Sequence, residues 1–216
     1  CIASFTIIVD SAPPPPESGR PDASAYMRRH AGMHLAQVVT APRRKRSGVR
    51  RRSRFSFPTS SSPPRNDRTV TADITISTEA DQTVVAPGQM VSDVVRSDRR
   101  TSRFVTESPV MPFFSVQSAR YARTARTHDG VEMVVFHDPD HDRNVLRMLD
   151  ALSASLDYFQ ANFSPYQFRQ ARIVEFPDYA SFAQSYPNTF AWSEGLGFIA
   201  DLSDPTKVDY VTYVGA

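Results

Sequence analysis

The sequence predicts an α+β fold: an amino-terminal β-sandwich-like domain followed by an α+β segment, the whole preceded by a disordered basic tail. Three observations carry this reading. Short strand patterns separated by turn residues recur between Arg68 and Phe136. The apolar period then changes from two residues to three or four at Met148. Charge divides with the pattern, because residues 1–66 hold 12 Lys+Arg against 3 Asp+Glu, whereas residues 67–216 hold 13 against 20.

Residues 1–66 carry nine of the seventeen prolines, among them Pro13 to Pro16, and a Ser/Pro tract from Ser56 to Pro64. Few apolar residues are available there to offset the entropy of ordering the chain. The segment is therefore expected to be disordered. Eight of the twelve residues from Arg43 to Arg54 are basic, a run able to bind nucleic acid or anionic lipid without specificity. Only Phe55 and Phe57 at its edge are aromatic, so base stacking finds little support. A solvated tail is the favoured reading, and nucleic acid is not expected as a partner.

Residues 67–136 are expected to form the β domain. Val70, Ala72, Ile74 and Ile76 alternate with Thr71, Asp73 and Thr75, as in a strand with one buried face. Val84 to Ala86 runs into the turn pair Pro87-Gly88. Met90 to Val95, Arg103 to Thr106, Phe113 to Ala122 and Val131 to Phe136 are further strands, separated by Ser97-Asp98, Ser108-Pro109 and Asp129-Gly130.

Residues 137–216 are expected to form the α+β segment. Met148/Leu149, Leu152, Leu156, Phe159 and Phe163 share one helical face, with Asp142 or Asn144 as cap and Pro165 just past the end. A strand is expected over Ala171 to Phe176. Pro177-Asp178 then opens a short helix with Tyr179, Phe182 and Tyr186 on one face. Another strand is expected over Gly195 to Asp201, and Val208, Val211 and Val214 mark a last helix.

Composition narrows function. The single cysteine, Cys1, excludes an internal disulfide and a cysteine-based zinc site. No apolar run approaches the roughly 20 residues of a membrane-spanning helix. Cys1 to Val9 is apolar but short and has no basic flank ahead of it, which argues against a signal peptide. Beginning at Cys and ending in a helical pattern, the chain reads as a fragment.

Two histidine pairs have the i, i+4 spacing of a zinc-binding helix. His137-Asp138-Pro139-Asp140-His141 contains Pro139, which opposes a continuous helix, so a loop leading into the helix at Asn144 is expected. His30 and His34 lie in the expected tail. Neither pair is read as a metal site.

The end of the chain carries the sharpest motif. Tyr186-Pro187-Asn188-Thr189-Phe190-Ala191-Trp192-Ser193-Glu194-Gly195-Leu196-Gly197-Phe198-Ile199-Ala200, followed by Val208 to Ala216, resembles the lead-in to the zinc helix of the aminopeptidase N-like metallopeptidases, the gluzincins, and most closely the bacterial permease-linked type. In that family a G-x-M-E-N strand precedes an H-E-x-x-H helix by a little over twenty residues, and Glu194 lies 22 residues before Ala216. Ser108 to Tyr121 resembles the strand that closes the family's β domain. The resemblance covers roughly residues 68–216.

The resemblance implies that residues 137–216 begin a thermolysin-like catalytic domain. It implies that the complete protein is a zinc-dependent hydrolase removing amino-terminal residues, with a peptide as partner through its amino terminus. Glu194 would receive the substrate's α-amino group through charge-assisted hydrogen bonds. Ala191, Trp192 and Gly195 would line the substrate channel. Ala191-Trp192-Ser193-Glu194-Gly195 stands where the family has Gly-x-Met-Glu-Asn, and only the glutamate matches. A surface glutamate, core packing of Trp192 and a strand glycine are the competing readings.

No H-E-x-x-H occurs in the chain, so zinc is expected only in the complete parent protein. No catalytic residue, no bound metal and no peptidase activity are expected for this chain alone. A membrane permease segment outside this chain is an implied partner, and with it membrane association. A non-catalytic peptide-binding module and a basic-tail nucleic-acid binder are the alternative classes.

Overall fold

The computed structural model of the protein describes residues 2–8, 34–39, 69–178 and 180–215. Among the described residues the fold is mixed and strand-rich, with three open sheets.

The first two sheets share one core. Strands β1 (Ile2–Ile8), β3 (Thr71–Glu79), β5 (Gln89–Arg96) and β6 (Arg99–Val105) form one sheet in the order β1-β3-β6-β5. Strands β2 (His34–Val39), β4 (Thr83–Val85) and β7 (Phe113–Ala119) form the other, in the order β2-β7-β4. The alternation in β3 sends Ala72, Ile74 and Ile76 into a cluster with Phe104, Val84, Ala86, Phe114 and Val116, so both sheets contribute to it. Gly88 has φ +88°, and a Cβ there would stand 2.2 Å from the Val105 carbonyl oxygen. The Pro87-Gly88 turn therefore needs glycine for its conformation and its close approach to β6.

Strands β1 and β2 lie within the segment expected as a disordered tail. β1 pairs parallel with β3, and β2 antiparallel with β7. Ile-Ala-Ser-Phe-Thr-Ile-Ile is rich in β-branched residues, which suit an edge strand. Local composition hid this behind the surrounding prolines and arginines. The Arg43–Arg54 run and His30 lie outside the described residues.

The third sheet begins earlier than expected. Strands β8 (Ala122–His128), β9 (Val131–His137), β10 (Gln170–Phe176), β11 (Ala183–Tyr186) and β12 (Thr189–Ser193) stand in the order β11-β12-β10-β9-β8. Val131–His137, expected as the last strand of the β domain, lies inside this sheet. The α1 helix (Val145–Asn162) crosses over from β9 to β10, which pair in parallel, and β12 is parallel to β10. The β8–β9 hairpin thus belongs with the later strands, and the change of sheet falls near residue 120 rather than at 136. The sequence pattern missed β8, whose Ala-Arg-Thr-Ala-Arg-Thr-His buries no side chain; it is held by its ladder with β9 and by the pairs Arg126–Asp150 and His128–Asp157 to α1.

Period-2 alternation sorts the third sheet's side chains onto two faces. Met133 and Val135 of β9, Ala171 and Ile173 of β10, and Trp192 of β12 pack with Met148, Leu149, Leu152 and Leu156 of α1. Val134, Phe136 and Val174 point the other way and meet Val85 of β4. Phe113 of β7 stacks on Tyr186 with ring centroids 5.1 Å apart. The molecule is therefore layered from helix through third sheet to the two smaller sheets.

Three other expectations change. Tyr186 closes a hairpin strand rather than a helix, because Pro187-Asn188 makes a tight turn with Asn188 at φ 51°; Tyr179 lies outside the described residues. Residues 194–199 form turns, and the strand is upstream, at β12. Phe159 and Phe163 are exposed, at 49% and 73%, and contact each other and Tyr158. The helix contribution to the core cluster ends at Leu156, so the last turns of α1 lie outside it. A short final helix, α2 (Tyr210–Gly215), buries Val211 and leaves Val214 exposed, and Val208, expected in it, lies before it and is exposed. No helix among the described residues is long and apolar enough to cross a membrane.

Candidate functional site

Three titratable side chains converge at the carboxyl ends of the three parallel strands. His141 lies in the loop after β9, Glu175 is the penultimate residue of β10, and Glu194 directly follows β12. Their ligating atoms all lie within 4.8 Å of one another. Glu175 has the parity of Ala171 and Ile173, and Glu194 that of Trp192, so both sit on the helix side of the sheet. In sheets of this kind ligands bind outside the carboxyl ends of parallel strands.

All three groups are buried: His141 is 8% exposed, Glu194 5% and Glu175 fully covered. His141 Nδ1 and Glu175 Oε1 are 2.5 Å apart. The second oxygen, Oε2, accepts the Asp138 backbone N–H at 2.6 Å. The loop that presents His141 is pinned as well. His141 N–H donates to the Asp138 carbonyl at 2.9 Å, Asp140 N–H to the Asp138 carboxylate at 2.9 Å, and the His137 ring meets the Asp138 carbonyl at 2.8 Å. As expected, Pro139 keeps the His137–His141 segment out of a helix. His137 instead turns its other nitrogen to Thr124 at 3.2 Å.

The hydrogen bond to Glu175 pushes the His141 imidazole above its ordinary value against the opposing effect of burial, helped by the charges of Glu175, Asp138 and Glu194. Burial pushes Glu175 up, against its hydrogen bonds to His141 and Asp138. Both shifts have one meaning: the cluster holds a proton more tightly than its separate members would.

The loop after Glu194 is held by the start of α1. Asn144 occupies the cap position but makes no side-chain cap bond. Its amide instead donates to the carbonyls of Gly197 at 2.7 Å and Ala200 at 2.9 Å, with Phe198 at 3.3 Å. The expected cap is thus a tether for the site loop. On the opposite face, buried Arg172 donates from Nη2 to Asn188 Oδ1 at 2.7 Å, and burial lowers its guanidinium to about 10. That bond fixes the turn from which β12 enters the site.

The predicted site residues separate. Glu194 is in the cluster. Trp192 packs in the core against α1, and Ala191 packs on the opposite face with Phe176 and Tyr186. Gly195 follows Glu194 with room for little else, because a Cβ there would come within 3.1 Å of the Asp178 carboxylate. Trp192 Nε1 and Ser193 Oγ, just before Glu194, are buried and without a hydrogen-bond partner among the described residues. An open concavity of about 540 Å³ lies beside Asn144 and is lined also by Arg143, Arg147 and Asp201; none of the three clustered residues lines it.

Sequence reasoning missed Glu175 altogether and set His141 aside. An acid inside the otherwise apolar run Ile173-Val174-Glu175-Phe176 is the one local signal that could have drawn attention.

The donor set of His141, Glu175 and Glu194 is chemically suited to zinc. In this structure His141 Nδ1 and Glu175 Oε1 bond to each other. Comparison with protein-family models and with curated proteins gives no match.

Proposed function

We propose that the chain carries the amine-binding wall of a zinc-dependent aminopeptidase, with Glu194 receiving the α-ammonium of a peptide. The observation that carries this reading is the burial of two carboxylates against one imidazole at the ends of parallel strands, which leaves the cluster attractive to a cation. Glu175 has each oxygen engaged, one by His141 and one by the Asp138 N–H. Glu194 is the carboxylate assigned to the ammonium because it stands where the resembling motif has its glutamate. The zinc of such an enzyme is not assigned to any described residue, and the thermolysin-like character of residues 137–216 belongs to this proposal. Its support is the parallel strands with their α1 crossover.

Binding of leucinamide, followed by chemical-shift changes, tests the reading. Leucinamide should bind and N-acetyl-leucinamide should not. Glu194→Gln should weaken leucinamide about 10- to 100-fold, the worth of a charge-assisted hydrogen bond of roughly 1.5–3 kcal/mol. Equal binding of the two ligands, or an unchanged affinity in Glu194→Gln, would remove the basis for the proposal.

A further inference from the structure

We draw no further inference here: the strongest candidate, the open apolar edge that strand β5 presents through Met90, Val91, Val94 and Val95, carries nothing because nothing among the described residues shows what covers it.

Discussion

Replacing Gly197 by alanine sets a methyl group against the chain's only tryptophan. An ideal Cβ at this position lies 2.8 Å from Trp192 Cε2, 2.9 Å from Trp192 Nε1 and 2.8 Å from the Met148 methyl. The carbon contacts are roughly 0.7 Å inside the usual approach of about 3.5 Å. The Met148 methyl can rotate away. The indole cannot follow easily, because it is buried among α1, β9 and β10. Overpacking of this kind costs about 1–3 kcal/mol, and restricting the unfolded chain by a Gly→Ala change returns about 0.4–1 kcal/mol. The expected net loss is about 1–2 kcal/mol. Urea unfolding followed by Trp192 fluorescence measures it without interference, since no other tryptophan emits. The native emission should also move, because the indole itself is displaced. Adding Met148→Ala should relieve only part of the loss. A variant as stable as the wild type with unshifted emission would refute the argument that the 194–199 turns are packed against a fixed indole.

Two other changes probe the same region. Asn144→Ala removes the amide that holds the Gly197 and Ala200 carbonyls, and should cost about 1–3 kcal/mol in a urea titration, whereas loss of an ordinary cap would cost about 1 kcal/mol and leave Trp192 emission unchanged. Stability should also fall as pH rises from mildly acid to mildly alkaline. His141 is raised above 6.5, so its contribution is fully present below that value and is lost as pH climbs through the folded-state value. Glu175 is raised above 4.5, so its burial becomes more costly as it ionises, with the same sign. The lowered carboxyls of Asp73, Asp201, Asp204 and Asp209 act oppositely, and their contribution disappears only as pH falls below about 4. Thermal melts should therefore peak in the mildly acid range, and His141→Gln should flatten the fall above about pH 6.

Much of the fold was legible because it rests on local period. The alternation in β3, the apolar runs of β9 and β10, and the three-to-four-residue spacing through Leu156 each describe how one segment buries one face, and the structure has those elements at nearly the expected places. Glu194, singled out through the motif around it, lies beside His141 and Glu175. The elements that failed are those whose partners decide them. β8 has no buried face and exists through its ladder with β9. β11 was read as a helix because Phe182 and Tyr186 have helical spacing, but the Pro187-Asn188 turn folds it back on β12. β1 and β2 lie among prolines and basic residues and are recruited by β3 and β7.

Residue order alone established which positions are apolar and where the period changes, and it set a strand after Glu194 where the structure has one before it. The packing of distant strands was needed before Glu194 could share a buried site with Glu175 and His141. Period reports the face on which a side chain lies and says nothing of the strand beside it. That neighbour is chosen by the α1 crossover, which lays β10 parallel to β9, and by the β11–β12 hairpin, which returns β12 to the other edge of β10. Three strand ends then meet, and the charges they carry acquire an effect on one another that none has in its own segment.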